Sequence, residues 1–301
     1  MKLIDSKVEL LEQGPGLVGA FKQIELTGRT CYKSEDNITE DSYERFVKAM
    51  VKNDHTAMLE HGTIYLTMQY GGDRDESDRI EKYTKNPYTK CVQDNGVYYI
   101  TTNYRVIVQN HWEDDLKYIT EPTEHHVKRY TFRITCNRIQ SQSICRHRHF
   151  SFAQESTRYC NYSKDKFNHQ IVYVKPSWLD IPTGDVYWYD GINWRIQYGE
   201  NPSDTLSINN NNMPEDKAAA VSAYFDTLDK AEKTYSRLIR LGWKAESARD
   251  VLPNALKTEI CVTGFEDDWK HFLDLRYRGT TGKPHPDIYK IAKEIHEILE
   301  A

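Results

Sequence analysis

Between Asp41 and Val51 the apolar residues Tyr43, Phe46, Val47, Met50 and Val51 recur at i, i+3, i+4, i+7 and i+8, the spacing that lines one face of an α-helix. Asp41 and Glu44 stand where a capping box would start it. Strand-like alternation follows. Ile64, Leu66 and Met68 alternate with polar neighbours in Thr63–Tyr70, and Tyr130, Phe132, Ile134 and Cys136 alternate with Thr131, Arg133 and Thr135 in Tyr130–Cys136. Each predicts a half-buried strand. Val97–Val108, rich in Tyr, Thr, Ile and Val, comes directly after Asn95-Gly96, a strong hairpin turn. Beyond Pro214 a stripe of Val221, Tyr224, Phe225, Leu228, Ala231 and Leu238 predicts a long helix that stops at Gly242. Further helices are expected at Lys244–Leu252, Glu266–Tyr277 and Pro286–Leu299, the last with Ile288, Ile291, Ala292, Ile295, Ile298 and Leu299 facing inward. Gly71–Asn86 and Gly199–Met213, the second with four consecutive asparagines, lack either period and read as surface insertions. The expectation is an α+β fold, an antiparallel sheet packed with helices, in a single domain over residues 1–301 with polar insertions near 71–95 and 199–213.

Composition narrows the function classes. With 39% hydrophobic and 28% charged residues the chain reads as a soluble globular protein. Lys and Arg total 40 against 45 Asp and Glu, a net charge of −5, so any anion site must be a local cluster of arginines. Six cysteines without a C-x-x-C pair argue against zinc knuckles, redox motifs and a disulfide framework; no metal site is expected, and a reducing cytoplasm fits best. The opening MKLIDSKVELLEQ has no apolar core of a leader, and no run is long enough to span a bilayer.

Two patterns invite a chemical reading. Gly14-Pro-Gly16-Leu-Val-Gly19 after a strand-like Lys7–Leu11 is a literal G-x-G-x-x-G, which can cradle a dinucleotide pyrophosphate at a helix start. That context needs a helix and a second parallel strand, whereas Gln23–Asn37 reads as turn-rich, so the glycines read as a surface turn. A dinucleotide-dependent reductase built on them would lose cofactor binding on Gly16→Val. The second pattern is Arg146-His147-Arg148 followed, after seven residues, by Ser156, Thr157, Arg158 and Tyr159. Upstream of it, Cys136–Cys145 reads as a short helix whose polar side chains suit a site better than a core. Arg276 shares a helical stripe with Trp269, Phe272 and Leu273, and Arg249 one with Ala245, Ala248 and Leu252. A guanidinium on an apolar face requires a partner, either an internal carboxylate or an anionic ligand.

Arg146-His147-Arg148, seven residues, then Ser156-Thr-Arg158-Tyr159 resembles the signature of the flavin-dependent thymidylate synthases, the ThyX family. His55-Thr-Ala-Met-Leu-Glu60-His61 is similar to that family's upstream segment, and Arg249…Leu252-Pro253 and Leu273-Asp-Leu-Arg276 to its C-terminal ones. The resemblance implies a ThyX-type fold and reductive methylation of dUMP to dTMP with FAD, using NADPH and methylenetetrahydrofolate as co-substrates. It implies FAD contacts from His55, Arg146, His147, Arg148, Gln154 and His271. It implies dUMP contacts from Ser143, Arg146, Gln154, Glu155, Ser156, Thr157, Arg158, Arg249 and Arg276, with Arg276 and Ser156 the catalytic candidates. It also implies a homotetramer with active sites shared between subunits. Gln154, His271 and Ser143 depart from the Glu, Asn and Gln that some members carry there. Arg276 is expected to stabilise negative charge on the pyrimidine. Ser156 has no adjacent base that would make it a nucleophile, so a hydrogen-bonding role is expected. The Pro-Cys-His context typical of the unrelated folate-only thymidylate synthases is absent. The competing reading is a single-stranded nucleic-acid-binding protein that grips phosphates with the Arg146–Arg158 cluster and stacks bases on its tyrosines.

Overall fold

The alternation in Tyr130–Cys136 builds a strand with neighbours on both edges. In the computed structural model, which describes residues 1–71, 74–189, 193–208 and 214–301, β6 (Arg129–Asn137) lies between β2 (Lys7–Leu10) and β12 (Lys257–Phe265), and β7 (Ser151–Gln154) completes an antiparallel sheet in the order β2-β6-β12-β7. Phe132 pairs with Val262 and Ile134 with Ile260, so their side chains share one face. That face is covered by α8 (Glu266–Arg276) and α9 (Pro286–Glu300) through Trp269, Phe272, Ile288, Ile291 and Ile295. On the opposite face Ala153 and Cys261 meet Leu26 and Cys31 of α1 (Gly16–Tyr32).

Two further sheets flank this one. β3 (Thr63–Gln69), β5 (Val97–Asn103) and β4 (Lys90–Asp94) form an antiparallel sheet, with Ile64, Leu66, Met68 and Ile100 packed against Ile80 and Tyr83 of α3 (Arg74–Thr84). Asn95 and Gly96 turn its hairpin with φ of 47° and 80°, the left-handed pair such a turn requires. The third sheet runs β11 (Thr205–Ser207), β10 (Asn193–Gln197), β9 (Gly184–Tyr189), β1 (Lys2–Ile4) and β8 (Val172–Val174). It is covered by α6 (Glu215–Arg240), whose Val221, Phe225, Leu228 and Tyr235 are buried. Among the described residues no helix is long and apolar enough to cross a membrane. The architecture is α+β, and the β1–β8 contact is its one parallel pairing among the described strands.

Several local expectations change. The strand read over Val97–Val108 ends at Asn103, whose side chain accepts from Val106 N and starts α4 (Tyr104–Asn110); local capping overrides β-propensity there. The Asp41–Glu44 box does not form. Asp41 precedes α2 (Ser42–Lys52) but takes the Thr39 hydroxyl, and Glu44 pairs with Lys48. Gly14–Gly19 is no free turn but the start of α1, and a Cβ on Gly19 would lie 1.8 Å from the Gly14 carbonyl oxygen. The helix runs on through a segment read as turn-rich because its polar residues are satisfied locally. Thr27 donates to the Gln23 carbonyl, and Glu25 holds Arg29 and Ser42. Since β2 pairs antiparallel with β6, the parallel unit that a dinucleotide loop requires is absent there. Gly71–Asn86 contains α3, anchored in a core rather than laid on the surface. Gly72 and Asp73 of that stretch, and Asn209–Met213 of the other, lie outside the described residues.

Candidate active site

At the end of β6 the Asn137 side chain accepts from Gln140 N while Gln140 accepts from Asn137 N, a capping box that starts α5 (Arg138–Ile144). Of its polar residues Gln140 and Ser141 are buried, Ser143 is half-buried and Gln142 is exposed; Gln154 donates to Ser141 Oγ at 2.9 Å and to Thr258 Oγ1 at 3.1 Å. Ser143 donates to the Ile139 carbonyl one turn back. After α5 two tight turns, His147 N to Ile144 O and Phe150 N to His147 O, leave Arg146 and Arg148 exposed and His147 buried. β7 then delivers Ser156, whose N–H donates to the Cys31 carbonyl and whose hydroxyl accepts from Arg158 N.

The residues singled out by sequence fall into three neighbourhoods. In the first, Arg276 on the last turn of α8 donates through Nε to His147 Nε2 at 3.1 Å, and the His271 ring lies 6.0 Å from that of His147. Arg276 and Ser143 border a cavity of about 450 Å³ walled by Trp178, Tyr224 and Pro253. Burial first, then the charge of Arg276 and the proximity of His271, push His147 down to about 4, so it is an uncharged acceptor at neutral pH. In the second, Arg249 donates to Thr157 Oγ1 at 3.2 Å and Arg158 pairs with Glu246 at 3.0 Å. Arg249 and Thr157 line a cavity of about 380 Å³ with Arg138 and Gln142. The stripe that placed Arg249 on an apolar face does not hold. α7 (Ala245–Ala248) tightens into a 3-10 turn at Arg249–Val251, and fewer residues per turn rotate the side chain outward. In the third, exposed His55 borders a cavity of about 570 Å³ with Cys31, Met58 and the tilted pair Tyr32–Tyr159, whose ring centroids lie 5.1 Å apart. Tyr159 ties this neighbourhood to the Ser156–Tyr159 turn.

Glu155 stands apart from all three. It is 2% exposed, with Oε2 on Lys257 Nζ at 2.9 Å and Oε1 accepting from Tyr162 OH at 3.1 Å. Lys257 also meets Glu259, which Lys33 grips in turn. Burial pushes Glu259 up, but Lys257 and Lys33 together hold it down at about 2. Sequence reasoning did not find these lysines, nor Tyr32 or Trp178, because each reaches the site only through the tertiary fold. Tyr159 was in view as part of the motif.

The arginines separate by what they meet. Arg29, Arg79, Arg105, Arg133, Arg158 and Arg278 each pair with a carboxylate. Arg146, Arg148, Arg249 and Arg276 form no ion pair among the described residues, and neither do Arg45, Arg129, Arg138, Arg237 and Arg240. The first four belong to the segments that carried the sequence resemblance.

With that arrangement in place the comparisons with known proteins are specific. Residues 80–301 match the family model described as Thymidylate synthase complementing protein, Thy1, and the chain belongs to that family. The His55–His61 segment lies upstream of the matched residues. The chain is similar to the flavin-dependent thymidylate synthase of Mycobacterium tuberculosis (strain ATCC 25618 / H37Rv), with 30% identity over 151 residues, 48% of each chain. It is also similar to the "Probable flavin-dependent thymidylate synthase" of Paramecium bursaria Chlorella virus 1, with 25% identity over 166 residues, 55% of this chain and 64% of that one. The chain thus spans about half the length of the mycobacterial relatives it matches. Among solved structures it is similar to the UMP/dUMP methylase PolB from Streptomyces cacaoi bound with 5-Br dUMP, with a TM-score of 0.44, 15% identity and coverage of 99% of this chain and 92% of that one.

Proposed function

We propose that this protein is a flavin-dependent thymidylate synthase that methylates dUMP to dTMP, with FAD as cofactor, NADPH as reductant and methylenetetrahydrofolate as carbon donor. The observation that carries the reading is that Arg146, Arg148, Arg249 and Arg276, all from the segments that carry the resemblance, meet no carboxylate among the described residues of a chain where acids outnumber bases. Planar, permanently charged forks left unpaired suit phosphate and pyrophosphate groups, and dUMP and FAD bring both. The donor set fits FAD: Arg146 and Arg148 would hold it, with His55 and His271 from other segments, and Gln154 at the edge. FAD, when bound, supplies electron transfer that no side chain here can provide.

The nucleotide would be held by Arg158, Arg249 and Thr157, with Ser143, Gln154 and Ser156 hydrogen-bonding nearby. Glu155, next to them in sequence, would support the segment from behind. Arg276 would sit against the uracil edge and stabilise negative charge developing on the ring. Ser156 already bonds within its own turn, which favours positioning over nucleophilic attack. The separation of the candidate residues into three neighbourhoods of one chain supports a homotetramer whose sites are completed by neighbouring copies. The N-terminal strands β1 and β2 pair with β8 and β6, which supports one catalytic domain over residues 1–301.

The visible spectrum of the purified protein, followed by anaerobic NADPH with and without dUMP, tests this reading. Flavin bands that bleach with NADPH are expected. Arg276→Ala should keep the flavin and lower turnover by about 100-fold or more, in the range that loss of one transition-state charge donor produces. A colourless protein that fails to take up FAD would overturn the proposal, and steeply salt-dependent binding to single-stranded DNA would then favour the phosphate-gripping alternative.

A further inference from the structure

Arg276 is held by a group that carries no charge. Several guanidiniums of the chain are fixed by an acid, as Glu9 fixes Arg133 through both of its carboxylate oxygens, and others by uncharged oxygens, as Thr63 and the Glu60 carbonyl hold Arg129. Here the one partner among the described residues is His147 Nε2, at 3.1 Å from Arg276 Nε. An atom that accepts from a guanidinium must present a lone pair, so the ring proton of His147 sits on Nδ1. The imidazole is itself locked in place. It is 9% exposed, its ring centroid lies 4.9 Å from that of Phe272, and its backbone is tied at both ends by the turns to Ile144 and Phe150. The charged and titratable groups beside it are Arg276 and His271 of α8, and neither is an acid.

The difference between an imidazole and a carboxylate at this place is chemical. Either one would orient the guanidinium. A carboxylate would also cancel its charge and compete with any anion for its remaining N–H groups, whereas a neutral imidazole takes one N–H and leaves the full positive charge available. Among the described residues the two Nη groups of Arg276 have no hydrogen-bond partner, and they border the cavity shared with Ser143 and Trp178, whose wall also includes Asp287, itself engaged by Ser177.

We propose that His147 is a positioning residue for Arg276, an uncharged acceptor that aims the guanidinium at the Ser143 cavity while leaving its charge uncompensated for a nucleotide anion. This rests on the functional reading above for the identity of the anion, but not for the pairing itself. It gives the middle residue of Arg146-His147-Arg148 a task distinct from that of the outward arginines beside it.

Three substitutions separate orientation from charge. His147→Gln keeps an uncharged acceptor of similar reach, His147→Leu removes it, and His147→Glu keeps an acceptor but adds the cancelling charge. With flavin content measured on each, the expected result is dUMP affinity and turnover within about 5-fold of the parent for Gln. A loss of about 10- to 100-fold is expected for Leu, the scale of a hydrogen bond to a charged group, and at least as large a loss for Glu. Parent-like behaviour of His147→Leu or of a folded, flavin-loaded His147→Glu would overturn the proposal. A readout independent of activity is the His147 ring titration by NMR. It should move to higher pH in Arg276→Met, and an unmoved titration would overturn the pairing even in an active enzyme. A titration that moves in a protein with no affinity for dUMP would leave the pairing standing and overturn the functional reading instead.

Discussion

Glu155 and Ser156 are neighbours in the chain, yet they face different chemistry. Side chains of successive residues leaving a strand point to opposite sides, and Glu155 turns into an enclosed network with Lys257 and Tyr162 while Ser156 stays with the Ser156–Tyr159 turn. Removing one partner of a buried pair leaves the other uncompensated, and typically costs about 3–5 kcal/mol. Lys257 keeps Glu259, so Glu155→Gln should cost about 3 kcal/mol, read as a lower denaturant midpoint with an unchanged slope. The double change Glu155→Leu with Lys257→Met should recover part of that loss, because the desolvation of both charges is removed together. At this scale residue types were legible and partners were not. The motif named Glu155, Arg158 and Arg276, but the sequence contains no sign that the first would meet Lys257, the second Glu246 and the third a histidine.

Elements were legible where one face is wet. α2, α6, α8 and α9 all showed their helical stripe because solvent covers the other side. β12 went unread although it is central to its sheet, and the reason is physical. From Thr258 to Gly264 it alternates little, since α1 covers one face and α8 and α9 the other, and Ile260, Cys261, Val262 and Thr263 are all buried. A strand covered on both faces has no polar phase to betray it. α3 was missed for the opposite reason, a very polar sequence in which Ile80 and Tyr83 are the core residues among the described side chains. Its attachment depends on Asp115, which is fully buried and receives Arg79, Lys82 and Tyr83. Burial pushes that carboxyl up, but the bonds from Lys82, Tyr83 and Arg79 outweigh it and hold its pKa below the usual value. Asp115→Asn should therefore loosen α3 selectively. Hydrogen exchange over residues 77–84 should quicken by at least about 10-fold, a local loss of about 1.4 kcal/mol or more, while β6 and β12 keep their protection. Equal acceleration in all three would show that the helix is not attached as a separate unit.

For the whole molecule, three buried histidines, His61, His126 and His147, act on the acid side of the stability curve, each pushed below its usual value chiefly by burial. His61 is fully buried with Nδ1 on Thr263 Oγ1 at 2.7 Å, and burial, helped by Arg129, pushes it down to about 3. His147 is pushed down to about 4. All three are held below the ordinary histidine value of about 6.5, so between that value and the folded ones the unfolded chain binds more protons. Stability should be level with respect to these groups above pH 6.5 and should fall as pH drops from there toward 3 to 4. Thermal midpoints measured from pH 7 to pH 4 should decline, and His61→Gln should decline less steeply than the parent. A midpoint that rises on acidification through this window would contradict the sign.

The sequence by itself determined the α+β class, the amphipathic helices and the family, because periodicity and motif spacing are properties of residues close together in the chain. It also singled out the arginines proposed for the site, since Arg146, Arg148, Arg249 and Arg276 all lie in recognisable segments. Only the tertiary structure decided their electrostatic state. Whether a guanidinium meets a carboxylate, a neutral ring or nothing depends on residues brought together from far apart, 129 positions for Arg276 and His147 and 102 for Lys257 and Glu155. Burial, which sets the charge of His147 and isolates Glu155, is likewise a property of the packed molecule, because it depends on which elements exclude water from a side chain rather than on the side chain itself.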